Sequence, residues 1–275
     1  MRYKYLLILM LTAGMFSCKK EKGTIDLPTP LPTQHPPMVL LKDIVIPNLP
    51  SPYYHFEYDS AGKVSFVSFA SDLTRYNVLY SGNKISEMRN NILVNKDRLQ
   101  YFYDNEGKVV AVKYADSTGE VYKRIIFSYD GQKLIESERQ QKEGTGFIIE
   151  KTMTFSYYPD GNLKELAYHY LPLVTQTEAT YTDRFEQYDN NINADGFGLL
   201  HNEFFDHLIL LPGVELQKNN PAKETRIGDG VNYSVDYRYS YNDKNAPLTK
   251  IGDLIITNGT DSGRHFQTHS VYSYY

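Results

Sequence analysis

Beyond Pro52 the apolar and polar positions alternate with a period of two, in short runs broken by turn residues. Residues 56–64 read F-E-Y-D-S-A-G-K-V, 102–109 read F-Y-D-N-E-G-K-V, 127–134 read F-S-Y-D-G-Q-K-L and 155–163 read F-S-Y-Y-P-D-G-N-L. Weaker copies lie at 79–85 and 239–248. Aromatic-x-aromatic spacing puts both rings on one face of a strand. The Asp that follows starts a turn, because its carboxylate accepts backbone amides two residues on. Gly then supplies the positive φ that closes the turn. Each copy is therefore a strand, a tight turn and a strand. The marker tyrosines Tyr58, Tyr80, Tyr103, Tyr129 and Tyr157 are spaced by 22, 23, 26 and 28 residues, one hairpin per interval. A lone hairpin is marginal in water, so successive copies must pair with each other.

The period breaks over about 181–220, which reads as an insertion between repeats, with one helical turn expected around 202–207. Its apolar segments suggest that it packs across one open side or end of the sheet and buries the tyrosine face. Three further strands are expected at 233–241, 248–256 and 265–275. The fold class is all-β: an antiparallel meander of repeated β-hairpins curled into an open or closed barrel-like sheet, over residues 53–275.

The N-terminus reads differently. Residues 1–17 carry Arg2 and Lys4 and then an apolar run from Leu6 to Leu11, too short to span a bilayer. The chain's single cysteine, Cys18, follows Met15-Phe16-Ser17 directly. That arrangement resembles a bacterial lipobox and implies a signal peptide over 1–17 and a lipid anchor on Cys18. Eight of the thirteen prolines fall between Pro28 and Pro52, so 18–52 reads as the lipid anchor and a semi-rigid stalk. The apolar residues of 38–46 offer an alternative, docking on the domain as an edge strand.

Composition narrows the chemistry. A net charge of −4 argues against a nucleic-acid partner, since phosphate neutralisation needs clustered Lys and Arg. A single Cys excludes an intrachain disulfide. The chain has 25 Tyr and no Trp. Strands that mix Lys, Glu, Arg and Asn with aromatics lack the apolar outer face of a membrane barrel. Residues 191–196 resemble the start of a calcium loop, but Asn202 stands where the twelfth-position Glu should be. His265 and His269 share a strand face but sit too far apart for one zinc ion. There is no nucleophile elbow, and a paired-carboxylate hydrolase cannot be singled out among 33 acids. The chain is read as no enzyme, with no cofactor and no metal. Tyr237, Tyr239 and Tyr241 form one stripe and are the candidate ligand platform, since tyrosine faces stack on sugar rings.

The hairpins resemble the tyrosine-aspartate repeats of bacterial rearrangement-hotspot and teneurin-type shell proteins, which form spiralling β-sheets. Such shells enclose a C-terminal toxin; none is expected after the last strand here. The lipobox, the proline stalk, the Y-D-x-x-G-K-V hairpins, the segment Tyr188-Asp189-Asn190-Asn191-Ile192-Asn193, Asn219-Asn220-Pro221 and the Tyr-rich end together resemble a Bacteroidota lipoprotein family of unknown function. That resemblance implies a porin-like curled sheet over about 53–275 and carries no catalytic residues. Asp59-Ser60-Ala61 and Asp116-Ser117-Thr118 resemble the O-glycosylation signal of Bacteroidota envelope proteins, making Ser60 and Ser117 candidate modification sites. The expectation is a non-enzymatic outer-membrane lipoprotein on the periplasmic face or cell surface. Its partners would be the membrane, through Cys18, and a glycan or an envelope protein. The alternative is a structural or assembly component of an envelope complex.

Overall fold

Period-two alternation becomes a wall with an apolar inner face and a polar outer one. The computed structural model describes residues 39–91, 96–201 and 208–275. The signal segment, Cys18 and the turn expected at 202–207 lie outside them. The described residues form sixteen strands: β1 (Leu41–Val45), β2 (Tyr54–Tyr58), β3 (Val64–Phe69), β4 (Thr74–Ser81), β5 (Lys84–Asn90), β6 (Arg98–Tyr103), β7 (Val109–Ala115) and β8 (Val121–Asp130). They continue as β9 (Lys133–Glu143), β10 (Gly146–Tyr157), β11 (Leu163–Tyr170), β12 (Ala179–Tyr188), β13 (Pro221–Gly228), β14 (Tyr233–Tyr241), β15 (Pro247–Ile256) and β16 (His265–Tyr274). Each strand pairs antiparallel with the next, and β1 pairs with β16, so the meander closes into a barrel.

Two boundaries differ from the sequence reading. The barrel begins at Leu41, inside the span assigned to the stalk, and β1 lies between β16 and β2 rather than at an edge. Strands of strictly alternating direction close antiparallel only in even number. The fifteen strands β2–β16 therefore need β1 to join their ends. Residues 181–188 of the expected insertion belong to strand β12, so the connection proper is 189–220.

The two rims are built differently. Asp turns join β2–β3 and β6–β7 at one rim, called here the clasp rim. In the β6–β7 turn the Asp104 carboxylate accepts the amides of Glu106 and Lys108, each at 2.9 Å, and Gly107 holds φ +88°. Between hairpins the backbone ladder stops short of this rim. The β3–β4 ladder ends at Phe66↔Asn77, leaving Val64 and Tyr80 beyond it. The β7–β8 ladder ends at Ala111↔Ile126, leaving Val109 and Tyr129. In each gap a tyrosine hydroxyl replaces the missing amide. Tyr58 donates to the Leu41 carbonyl at 2.9 Å, Tyr80 to Val64 at 2.9 Å, Tyr103 to Ile85 at 2.8 Å and Tyr129 to Val109 at 2.8 Å. Tyr157 donates to Leu134 at 2.7 Å, Tyr188 to Leu163 at 2.7 Å, Tyr239 to Pro221 at 3.0 Å and Tyr274 to Pro247 at 2.7 Å. Every even-numbered strand thus clasps the odd-numbered strand before it. The turn lysines cover the rings: Lys63 lies over Tyr80, Lys84 over Tyr103, Lys108 over Tyr129 and Lys133 over Tyr157, at 5.2, 4.9, 5.8 and 4.4 Å.

The inner face carries the core, including Phe56, Val67, Tyr76, Met88, Leu99, Phe127, Phe155, Leu166 and Phe185. The outer face carries charge pairs, Arg184 with Glu165 at 2.8 Å and Arg238 with Asp253 at 2.6 Å, and a hydrogen bond between His55 and Asp43 at 2.6 Å. A charged side chain on a lipid-facing strand costs up to ~2–4 kcal/mol, so this wall has the reverse polarity of a lipid-embedded barrel.

Tyr129→Phe should lower stability by about 1–2 kcal/mol in urea denaturation without altering the far-UV spectrum, because a carbonyl at the rim loses its donor. Burial pushes the hydroxyls of Tyr58, Tyr103 and Tyr129 up to about 12. An unfolded tyrosine ionises near ~10. Between these values the folded chain holds more protons than the unfolded one, so stability is complete below pH ~10 and falls as pH rises towards 12. Tyrosinate absorbance should lag behind free tyrosine and then appear together with loss of the β spectrum. Ionisation of all tyrosines near pH 10 with the barrel intact would contradict the clasp.

Candidate functional site

Residues 189–201 and 208–220 fill part of the barrel. Turn chemistry shapes the segment. The Asp189 carboxylate accepts the amides of Asn191 and Asn220 at 3.0 Å each. The Asn162 side-chain carbonyl accepts those of Lys218 and Asn219, also at 3.0 Å each. A 3-10 turn runs Gly196–Leu200, started by the Asn193 side chain, which accepts the Gly196 amide at 2.7 Å. Phe197 then stands edge-on to Tyr54 and Phe56, with 5.2 Å between centroids in both pairs. His201 meets the Tyr54 hydroxyl at 2.8 Å and lies against Phe69. Leu208, Ile209 and Leu216 are buried, and the Leu216 carbonyl accepts the Leu163 amide at 3.0 Å. On the neighbouring strands β15 and β16, Asp195 takes Lys250 at 3.1 Å and the Tyr272 hydroxyl at 2.7 Å. These partners come from β2, β3, β11, β15 and β16, so the described residues of the segment run from the clasp rim into the lumen as a plug.

Among the described residues the plug leaves part of the lumen open. Near the rim opposite the clasps, β8–β14 surround a well of two adjoining cavities, about 730 and 390 Å³. Tyr170, Tyr181, Arg226 and Tyr233 line both, and Gly198–His201 of the plug line the deeper one. A β-bulge between Ile149 and Lys151 shapes this wall. It turns two consecutive side chains, Glu150 and Lys151, into buried positions where alternation would bury one.

Glu150 is paired with Arg139 and lies 3.5 Å from Lys123. Across the well Arg226 holds Asp183 through two hydrogen bonds of 2.6 Å. Its guanidinium lies 4.2 Å from the Tyr181 ring centroid and 5.0 Å from that of Tyr233. Tyr168 stacks on Tyr181 at 4.5 Å, and Tyr170 follows at 6.0 Å. Glu224 accepts the hydroxyls of Tyr233 at 2.9 Å and Tyr237 at 2.7 Å. Burial and the neighbouring Asp183 raise the Glu224 carboxyl, against the two tyrosines and Lys250. Burial and the Arg139 charge bring the Lys151 ammonium down to about 7, with Glu150 opposing and Lys123 adding to the fall. The arrangement offers aromatic surface on one side and charged donors on the other.

The residues singled out in the sequence lie elsewhere. The stripe of Tyr237, Tyr239 and Tyr241 faces inward, with hydroxyls committed to Glu224, the Pro221 carbonyl and Asp189 respectively. Ser60 and Ser117 sit in exposed turns at opposite rims. In the calcium-like segment the Asn193 and Asp195 side chains serve the plug turn and Lys250. Among the described residues no three His, Cys, Asp or Glu side chains converge as metal ligands. The sequence reading missed Lys123, Arg139, Glu150, Lys151 and Arg226. Their one signal was charge at positions where alternation calls for inward, apolar residues.

No family model and no curated protein matches the chain. Solved structures do. A porin-like protein from Bacteroides uniformis superposes with a TM-score of 0.56 at 12% identity, covering 86% of this chain and 95% of that one. A porin-like protein from Bacteroides vulgatus gives 0.56 at 16% identity, covering 86% and 99%. At these identities the likeness is one of fold. A match to TcdB2-TccC3 without its hypervariable C-terminal region has a TM-score of 0.30, too low to carry an argument.

Asp195 ties the plug to the wall. Burial alone would raise its carboxyl, but Lys250 and the Tyr272 hydroxyl outweigh burial and hold it below the ordinary range. Asp195→Asn should cost about 2 kcal/mol in urea denaturation. The wild-type contribution should be present above pH ~4 and fade as acid protonates Asp195; the variant should lose that fade. An unchanged acid limb would mean the plug is held by packing alone.

Proposed function

We propose that this chain is a non-enzymatic binding protein of the bacterial envelope, tethered to the outer membrane through a lipid on Cys18, and that its barrel receives a glycan or a segment of a protein partner. The observation that carries this reading is the well at the far rim. Rigid strands hold its aromatic and charged walls, and a segment of the same chain closes its floor. Ligand sites are typically concave, with apolar surface and a few oriented polar groups, and tyrosine suits sugar faces. Its carboxylates are engaged, Asp183 by Arg226, Glu150 by Arg139 and Glu224 by two tyrosines, which favours binding over acid–base hydrolysis. The charged outer wall suits a barrel held beside a membrane by an anchor rather than one embedded in it.

A second reading, assembly into an envelope complex, draws on exposed apolar side chains at the same rim. Val174 and Val231 stand exposed in the turns that flank the well, and Leu49 and Leu73 stand exposed in other turns of that rim. Isolated apolar side chains are ordinary on a surface, so this observation is the weaker one.

Full-length protein expressed in a Gram-negative host should fractionate with membranes, and Cys18→Ala should move it to the soluble fraction. On a broad glycan array the folded protein should bind saturably, and Tyr233→Ala should abolish the signal. Silence from folded protein would overturn the glycan reading and favour assembly, to be pursued by cross-linking in the native envelope.

A further inference from the structure

The shape of the well limits what can enter it. Strands β8–β14 are each hydrogen-bonded to the next, so its side is sealed. Among the described residues it opens at the far rim, between the turns at 171–178 and 229–232, and Gly198–His201 of the plug stand at its inner end. The outer cavity of about 730 Å³ and the inner one of about 390 Å³ meet at Tyr170, Tyr181, Arg226 and Tyr233. The inner cavity exists because the plug leaves it unfilled. Gly198 lines it, and a Cβ built on Gly198 would meet nothing within 4 Å. A larger side chain at that one position would occupy the space.

Resting on the binding reading above, we propose that the well takes the free end of a neutral glycan chain. The terminal ring enters the inner cavity, with its hydroxyls on Asp183, Glu224 and Arg226, and the next ring lies in the outer cavity against Tyr170 and Tyr233. A chain held by its middle must leave its site at two places. An open groove permits that; a well with a floor does not. Pockets of about 300–1,000 Å³ hold drug-sized molecules, and each cavity falls in that range, so the pair has room for more than one ring.

The two cavities differ in chemistry as such a chain requires. Leu173, Ala179 and Val231 border only the outer one, and Asp183 and Glu224 only the inner one. Asp183 and Arg226 are joined by two hydrogen bonds of 2.6 Å, and each Glu224 oxygen accepts one tyrosine hydroxyl. A carboxylate has about four lone-pair sites and a guanidinium has further N–H groups, so these side chains can meet a ligand without leaving each other. A sugar hydroxyl donates and accepts at once, which matches an acid and a base that stay paired. Tyr170 and Tyr233 line both cavities and present ring surface where the chain passes from one to the other.

Calorimetric titration of the full chain with dextran, pullulan, glucomannan and linear arabinan tests this. Each is used intact and after mild acid hydrolysis to chains one tenth as long, at equal mass of sugar. At least one hydrolysate should bind, about ten-fold tighter per unit mass than its parent, because binding counts ends rather than sugar units. Gly198→Leu, whose side chain would occupy the inner cavity, should keep the urea midpoint and weaken that binding by about ten-fold or more. Equal affinity per unit mass before and after hydrolysis would overturn the proposal, marking recognition of chain interiors, and leave the glycan reading standing. Unchanged binding by a stable Gly198→Leu protein would overturn it too, since the terminal ring would then sit elsewhere. No binding by any of these probes overturns it as well, and the array then judges the broader reading separately. The wild-type comparison decides even if the variant fails to fold.

Discussion

Where two strands diverge, the backbone groups beyond the last rung need another partner, and that requirement organises this barrel. On every seam between hairpins the ladder ends before the clasp rim, and a tyrosine hydroxyl reaches the carbonyl left over, from Tyr58 on Leu41 to Tyr274 on Pro247. The bond fixes residue identity. Phenylalanine would fill the same volume but donate nothing, and an unsatisfied carbonyl costs about 1–3 kcal/mol when buried. Tryptophan carries its donor on the side of a bicycle, whereas the clasp needs one at the tip of an extended ring. Twenty-five tyrosines and no tryptophan is the composition such a device produces. The clasp also sets register, because a shift of one residue would turn the tyrosine to the outer face.

With the rim closed, the lumen must be filled. Wall side chains fill it around β2–β7, with the plug packed against Tyr54, Phe56 and Phe69. Around β8–β14 the wall carries Lys123, Arg139, Lys151 and Arg226 instead, and the plug ends as a floor. The barrel is therefore asymmetric inside although its hairpins repeat. The outer wall, by contrast, bears exposed pairs such as Arg184–Glu165 and Arg238–Asp253.

The fold was legible because its determinants are local. Tyr, Asp, Gly and Lys at fixed offsets specify strand end, turn and ring cover, and the expected strand at 233–241 is β14. β1 was read only as an alternative to the stalk, and at an edge, because prolines on both sides of 41–45 mask five residues that have too few alternations to stand out. The plug was recognised as a break in the repeat, but its place in the lumen depends on Asp195 meeting Lys250 and Tyr272, which are distant in sequence. The well was illegible for a further reason. The bulge between Ile149 and Lys151 resets the period, so Glu150 and Lys151 both turn inward where alternation assigns them to opposite faces. Tyr237, Tyr239 and Tyr241 drew attention as a clean stripe, yet clean period two here marks wall residues bonded to their neighbours.

The same contrast separates structure from function inside the barrel. Clasp, turn and core residues obey the repeat, and each has an evident structural partner. The cations of the well break it, and their burial adds little to stability: desolvation offsets most of an ion pair, and well-packed apolar side chains of like volume commonly hold a wall as well or better. Phe127, Phe155 and Leu166, elsewhere on the inner wall, are an example. A bulge that brings Glu150 and Lys151 inward beside Arg139 and Lys123 therefore has no account in the closure of the barrel. The binding reading proposed above would supply one, since an oriented set of donors on a rigid wall loses little freedom when a ligand arrives.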